Sequence, residues 1–145
     1  MPVKAAIALA SAALAAAGVG FPRATVRVDT GRRAVTVRVE VARTPAQITQ
    51  GLMGRRSLAR NAGMLFLFAR PTRERFWMKD TLVPLSIAFA DRRGRIVRIL
   101  DMPPCRAEPC PLYDPGRAIS SALEVNRGAF ARWGVRRGAR ITLRR

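Results

Sequence analysis

Three side chains that could take part in chemistry, Trp77, Lys79 and Asp80, stand almost side by side in the sequence. An indole ring can stack on a bound molecule, an ammonium can pair with a carboxylate, and a carboxylate can accept a proton. Lys79 and Lys4 are the only lysines among 27 basic residues, which indicates that an arginine would not serve at position 79. We therefore treat Trp77, Lys79 and Asp80 as candidate binding residues.

Two interpretations of Lys79 stay open. In the structural interpretation, its ammonium forms a buried or edge ion pair that fixes a strand, with one of the acids Asp80, Asp101, Asp114 or Glu124. In the functional interpretation, Lys79, Asp80 and Glu124 form a pocket in which Trp77 is the platform for a substrate. Residues 76–78 are predicted as a short strand, which places Trp77 and Lys79 on one face and Met78 on the other.

The composition excludes much catalytic chemistry. The chain has no histidine, so the commonest general base, metal ligand and partner of a nucleophilic Ser or Cys is missing. The phosphate-binding patterns GxxxxGK[ST] and GxGxxG are also missing. Methionines beyond the first residue are expected to fill the core, with a copper(I) thioether site as the alternative. We predict no catalytic residue, no bound metal and no cofactor.

The two cysteines, Cys105 and Cys110, lie close together in a proline-rich stretch. In an exported domain such a pair forms a structural disulfide, and closing so short a loop stabilises a fold by about 2 kcal/mol. A redox-active pair is the alternative, although the Cys-x-x-Cys spacing is missing, and two cysteines without histidine cannot complete a zinc site. Tyr113, the only tyrosine, is interpreted as a side chain packed beside the disulfide and is kept as a candidate binding residue.

The first 20 residues have the features of an export signal. Lys4 precedes an apolar run over residues 5–17, and Ala15 and Ala17 are the small residues that a signal peptidase requires. The run is shorter than the roughly 20 residues that span a bilayer. We predict a signal peptide over residues 1–20, cleaved between Gly18 and Phe21. One domain over residues 21–145 would then be exported to the periplasm, the cell envelope or the extracellular space. An uncleaved anchor is the alternative, and it would be the domain's means of membrane attachment.

The chain is strongly basic, with 27 Lys+Arg against 9 Asp+Glu and a net charge of +18. A field of this sign attracts anionic polymers. The arginine pairs, however, are scattered over expected turns and element ends. We therefore expect weak, salt-sensitive binding to anionic envelope polymers and no specific nucleic-acid site, while the sequence identifies no particular partner.

Alternation and turn residues predict a mainly β domain. Strands are expected over residues 25–29, 35–41, 64–68, 76–78, 84–90, 95–100, 118–125 and 141–143, with a turn at 70–73. The continuous apolar run at 64–68 predicts a strand buried on both faces. Thr44, Pro45 and Gln47 predict one short helix, and Asn126 is the expected cap of a second. We predict a mainly antiparallel β domain, sandwich or barrel-like, with two short helices; its jelly-roll-like form is what the family resemblance described next implies.

A series of motifs resembles the DUF192 family, a family without an established biochemical function. They are residues 41–45 (VARTP), 51–55 (GLMGR), 63–68 (GMLFLF), 76–81 (FWMKDT), 104–105 (PC), 109–113 (PCPLY) and 123–128 (LEVNRG). The resemblance covers roughly residues 37–141 and implies a single, often exported, jelly-roll-like β domain. It implies no activity, substrate or cofactor. The chain has Asp80 where the family usually has Asn, and Ser86 and Ala139 where it usually has Asp.

Two functions from different classes compete. The favoured hypothesis is a non-enzymatic exported module that binds an envelope component or a partner, because the residues contain no catalytic constellation. The alternative is an enzyme that uses the Lys79, Asp80 and Glu124 pocket with Trp77 as substrate platform. A concave pocket that joins these residues would favour the enzyme, and a flat surface with the groups mutually paired would favour the binding module.

Overall fold

The computed structural model describes residues 19–144, so the predicted signal peptide lies outside the described residues apart from its last two positions. Within this range the chain forms seven strands and two short helices. In chain order they are β1 (Arg23–Asp29), β2 (Ala34–Ala42), α1 (Pro45–Gln50), β3 (Ala62–Thr72), β4 (Leu85–Ala90), β5 (Ile96–Met102), β6 (Ile119–Asn126), α2 (Ala129–Trp133) and β7 (Arg140–Arg144). The prediction of a mainly β domain with two short helices is confirmed.

The strands form one mixed sheet in the order β5-β4-β6-β3-β2-β1-β7. Five of the six neighbouring pairs are antiparallel, but β2 and β3 run parallel, with Val39 paired to Gly63. The predicted antiparallel arrangement is therefore found in part, and the sheet as a whole is mixed. The parallel pairing results from the connection through α1 and the following loop. This connection returns the chain to the end of the sheet at which β2 began, so β3 runs in the same direction as β2.

The sheet curls until its two edge strands meet at one end. A bridge joins Arg95, just before β5, to Arg140 at the start of β7. The Ile96 amide also donates to the Ala139 carbonyl at 2.8 Å, and the Ile141 amide donates to the Gly94 carbonyl at 2.7 Å. The result is a half-barrel made of a single curled sheet, and its strand order does not confirm the jelly-roll arrangement.

Two hydrophobic clusters lie on opposite faces of the central strands. On β6, Leu123 and Val125 belong to the first cluster, with the valines of β1 and β2, whereas Ala122 belongs to the second. On β3, Leu65 faces the first cluster while Met64 and Phe66 face the second. This period of two is what strand geometry requires. The prediction that β3 is buried on both faces is confirmed.

Three local predictions were wrong. The expected turn at residues 70–73 is instead the end of β3, which reaches Thr72; Pro71 is tolerated because the pairing with β6 is irregular between Leu67 and Thr72. Residues 76–78 are not a strand but contribute a single bridge from Phe76 to Tyr113. Helix α2 begins after Gly128, and Asn126 is the last residue of β6.

Helix α1 has the capping pattern that its sequence predicts. The Thr44 hydroxyl accepts from the Gln47 amide at 3.1 Å, and the Gln47 side chain accepts from the Thr44 amide at 3.0 Å. The Gln47 side-chain amide also donates to the Gly20 carbonyl at 2.8 Å, which holds the start of the described chain against the helix. Across residues 19–144, no helix is long and apolar enough to cross a membrane.

Candidate functional site

A cavity of about 250 Å³ opens beside the second cluster. The C-terminal end of α1 forms one wall, the segment before Trp77 forms another, and side chains of β3 and β6 form the floor. The lining residues are Ile48, Thr49, Gln50, Gly51, Leu52, Met53, Phe66, Glu74, Arg75, Phe76, Trp77, Thr81, Leu112 and Glu124. We call this the Glu124 cavity.

Glu124 occupies an unusual position for an acid, at the centre of the sheet. On β6 it pairs with Met64 of β3 on one side and with Ile87 of β4 on the other, and both belong to the second cluster. Alternation along β6 therefore directs the carboxyl to this apolar face, where the residue is only 5% exposed. An acid buried in such surroundings is destabilised in its charged form, because it loses its hydration.

No described residue compensates that burial. The Glu124 side chain has neither a hydrogen bond nor an ion pair within residues 19–144, although four ion pairs form elsewhere in that range. Burial alone raises the pKa of the Glu124 carboxyl to about 8. At neutral pH the Glu124 carboxyl is therefore mainly the neutral acid.

The carboxyl oxygens of Glu124 are open to the cavity. Among the described residues, no fully enclosed side-chain oxygen or nitrogen lacks a hydrogen-bond partner. The Glu124 oxygens have no hydrogen-bond partner, so neither oxygen can be fully enclosed. Glu124 is also one of the residues that line the cavity. The acid is thus both buried and available to whatever occupies this space.

Contacts of Phe76 hold the aromatic side of the cavity in place. Phe76 exchanges two backbone hydrogen bonds with Tyr113, of 2.9 and 2.7 Å, and its ring packs edge-on against Phe66 at 5.2 Å between centroids. Trp77 stands between the buried residues Phe76 and Met78, so it is turned outward and is 46% exposed. Together with the exposed Leu112, it forms an apolar rim at the cavity mouth.

Lys79 and Asp80 form the turn that follows Trp77. Asp80 has a φ of 53°, the one positive value outside glycine in residues 19–144. Asn and Asp tolerate this left-handed conformation better than other non-glycine residues. The Asp80 carbonyl accepts from the Gly54 amide at 2.8 Å, and the Thr81 hydroxyl donates to the Lys79 carbonyl at 3.1 Å. The structure thus gives Asp80 a backbone role.

The ammonium of Lys79 lies outside the cavity. It stands 5.4 Å from the centroid of the Trp77 ring and 3.4 Å from the carboxylate of Glu108, which is an exposed residue of the disulfide loop. The expected pairing with Asp80, Asp101, Asp114 or Glu124 is therefore not found. The Lys79 side chain is 40% exposed, so this is a surface ion pair that positions the indole rather than a buried one.

Of the predicted binding residues, the structure brings only Trp77 and Glu124 to the Glu124 cavity. Lys79 and Asp80 form the adjoining turn, and half-buried Tyr113 packs behind it against the second cluster together with Cys105. Sequence reasoning missed the exposed pair Glu74 and Arg75. They stand in an irregular segment, where no periodicity indicates which way a side chain points.

Gly51 lets α1 end close above the cavity floor. Its φ of 45° lies in the left-handed region, and a Cβ at this position would stand 3.3 Å from the Phe66 ring. The chain can thus turn over Phe66 into residues 52 and 53, which complete the wall. Gly51, the first residue of the motif at 51–55, is therefore needed for the turn that forms this wall.

Cys105 and Cys110 form a disulfide, with their Cα atoms 5.5 Å apart. It closes the loop that carries Glu108, the partner of Lys79. The predicted pairing of the cysteines is present in the structure, and the contact of Glu108 with Lys79 joins this loop to the rim of the Glu124 cavity.

A second polar cluster lies on β4, away from the Glu124 cavity. The Ser86 hydroxyl donates to the Asp101 carboxylate at 2.6 Å and accepts from the Gly128 amide at 3.0 Å, at the start of α2. Ser86 and Ala139 are the two positions at which the family that the sequence resembles usually has Asp. Ala139 lies beside Ile96, where the two edge strands meet. Residues 19–144 contain no group of three His, Cys, Asp or Glu side chains placed to hold a metal ion.

These features define a class of small β proteins: one curled mixed sheet with a buried, uncompensated acid facing a ligand-sized cavity. The chain belongs to the DUF192 family, whose model, described as "Uncharacterized ACR", matches residues 26–143. No curated protein matches the chain.

Similar solved structures include the following two. A "putative transcription regulator" from Sinorhizobium meliloti 1021 is 34% identical with a TM-score of 0.79, over 86% of this chain and 96% of its own. A protein of unknown function from Novosphingobium aromaticivorans DSM 12444 is 31% identical with a TM-score of 0.77, over 86% and 87%.

Proposed function

We propose that this protein is an exported, non-enzymatic binding module that holds a small organic molecule in the Glu124 cavity. The observation that carries the proposal is the buried carboxyl of Glu124, which faces an open space and has no partner in the described chain. A polar group buried without a partner lowers stability. A ligand that supplies the partner explains why an acid stands there.

The arrangement favours binding over catalysis. An acid-base reaction usually needs a second group placed on the same reacting atoms. Lys79 and Asp80, which the enzyme hypothesis requires, do not line the Glu124 cavity. Glu74 does line it, but this residue is exposed. The enzyme alternative is reduced to Glu124 acting alone, and its support is the raised pKa of that carboxyl, to about 8.

Export is part of the proposal. It is supported by the signal-like sequence of the first 20 residues and by the disulfide between Cys105 and Cys110, a bond that persists in oxidising compartments. The net charge of +18 supports a weak additional attachment to anionic envelope polymers. That attachment would concentrate the module near the envelope without using the Glu124 cavity.

The test is native mass spectrometry of protein purified from its own cells, with the N-terminus determined in the same sample. We expect a bound small molecule on the wild type and on Asp29→Asn, which removes an exposed acid of β1 outside the cavity. The Glu124→Gln variant should lose it while remaining folded. Equal retention by Glu124→Gln would contradict the proposed site, and an N-terminus at Met1 would contradict cleavage of the signal.

A further inference from the structure

The lining of the Glu124 cavity differs from the whole chain in its proportion of acidic residues. The chain has three times as many basic residues as acidic ones, 27 against 9. The cavity lining reverses this ratio, with two acids, Glu74 and Glu124, and one base, Arg75. Two of the chain's nine acids therefore line one cavity, where an anionic ligand would meet Glu74 at the rim and Glu124 on the floor.

The apolar part of the lining is suited to an organic cation. The rings of Phe66, Phe76 and Trp77 line the cavity, and Trp77 is exposed at its mouth. Aromatic faces attract ammonium groups as well as apolar surface. The Lys79 ammonium already stands over the Trp77 ring at 5.4 Å, so this indole accepts a cation in the structure itself.

The size of the cavity limits the ligand. A cavity of about 150 Å³ is enough for benzene. The Glu124 cavity, at about 250 Å³, has room for one ring or a comparable branched chain together with a short amine arm. Larger molecules would have to extend past Trp77 and Leu112 into solvent.

From these observations, and resting on the proposed function, we infer that the cavity is specific for a small organic cation. The ligand carries an ammonium or similar group on an apolar body, with the cationic group against the buried Glu124 carboxyl. Binding supplies the missing partner of Glu124 and converts the neutral acid to a carboxylate. The proton leaves to solvent, and the product is a buried, hydrogen-bonded ion pair. Glu74 adds attraction at the rim, and Arg75 opposes it.

The test uses three probes of one shape in isothermal titration calorimetry: benzylamine, benzyl alcohol and benzoate. Running the titrations in two buffers of different ionisation enthalpy measures the protons released. Because the pKa of Glu124 is about 8, roughly nine-tenths of the acid is protonated at pH 7, and benzylamine should release about 0.9 proton. Its affinity should rise about tenfold per pH unit up to pH 8 and then level off.

Variants assign the effect to named groups. Glu124→Gln should weaken benzylamine at least tenfold and abolish proton release, with little effect on benzyl alcohol. Glu74→Gln should weaken benzylamine a few-fold and leave proton release unchanged. Asp29→Asn, which removes an exposed acid of β1 that does not line the cavity, should change neither the affinity nor the proton release. Binding of benzyl alcohol or benzoate as tight as that of benzylamine, or benzylamine binding without proton release, would overturn the inference and leave the proposed function standing. Failure of all three probes to bind would also overturn the inference, whereas the native mass spectrometry of wild type and Glu124→Gln decides the proposed function.

Discussion

Replacing Glu124 by Gln should change how the stability of the protein depends on pH. The pKa of Glu124 is raised by burial from 4.5 to about 8, so the folded chain holds a proton that the unfolded chain has lost. Below pH 4.5 Glu124 is protonated in both the folded and the unfolded chain, and its contribution to the free energy of unfolding is complete. That contribution is lost as pH rises towards 8, because the unfolded chain ionises in this range while the folded chain keeps its proton. Gln resembles the neutral acid in shape and does not titrate, so the variant removes this dependence.

The magnitude follows from the two pKa values. Each unit of difference corresponds to about 1.4 kcal/mol. Relative to a non-titrating residue, Glu124 should lower the free energy of unfolding by about 1 kcal/mol at pH 5, about 3 kcal/mol at pH 7 and between 4 and 5 kcal/mol, about the maximum, at pH 8.5. A Gln amide without partners lowers stability by about 1–3 kcal/mol, but by the same amount at each pH. The informative quantity is therefore the change in the difference between wild type and variant.

The assay is urea unfolding of wild type, Glu124→Gln and Glu108→Gln at pH 5, 7 and 8.5, with the disulfide intact. The difference between Glu124→Gln and wild type should move by about 4 kcal/mol in favour of the variant between pH 5 and pH 8.5. Glu108→Gln, at an exposed acid, should show no such movement. A difference for Glu124→Gln that changes by less than about 1 kcal/mol over this range would refute the buried neutral acid.

Three further outcomes follow from the rim of the Glu124 cavity. Asp80→Ala should lower the free energy of unfolding by about 1–2 kcal/mol because of the positive φ at that position, whereas Asp80→Gly and Asp80→Asn should be close to neutral. Urea unfolding midpoints of the three variants measure this effect. Equal midpoints for Asp80→Ala and Asp80→Gly would contradict the backbone role of Asp80. Lys79→Met should lower stability by less than about 1 kcal/mol, since the ion pair with Glu108 is exposed, so a loss near 3 kcal/mol would show that Lys79 has a buried partner instead. Cys105→Ser should lower stability by about 1–3 kcal/mol without abolishing the fold, and a non-reducing thiol count on the wild type should find no free thiol.

The sequence was a good guide to the strands and a poor guide to their pairing. Alternating valines identify β1 and β2 because a half-buried strand imposes a period of two. The parallel pairing of β2 with β3 has no comparable signal, since it depends on the path of the chain through α1 and the loop after it. The extension of β3 past Pro71 was missed for a related reason: whether a proline breaks a strand depends on whether its partner is pairing there.

The candidate site could be predicted only in part. Trp77 and Glu124 are 47 positions apart in the sequence. Trp77 was identified as a possible platform for a bound molecule, and Glu124 as a possible ionic partner of Lys79. Lys79 was noticed for its rarity, but its position in a turn takes it out of the Glu124 cavity. Glu74 and Arg75 gave no signal, because an irregular segment has no repeating geometry. Composition thus identified candidate residues, while the fold decided which of them meet.

The contact of Lys79 with Trp77 and Glu108 gives the protein an optical reporter. Glu108 belongs to the loop closed by Cys105 and Cys110, and Lys79 connects that loop to an indole that is 46% exposed. The other tryptophan, Trp133, is on α2, packed edge-on against Phe130 at 6.0 Å in the first cluster. Opening the loop by reduction frees Glu108 and releases the ammonium from the Trp77 ring. The emission of this one indole should therefore distinguish oxidised from reduced protein without an added dye.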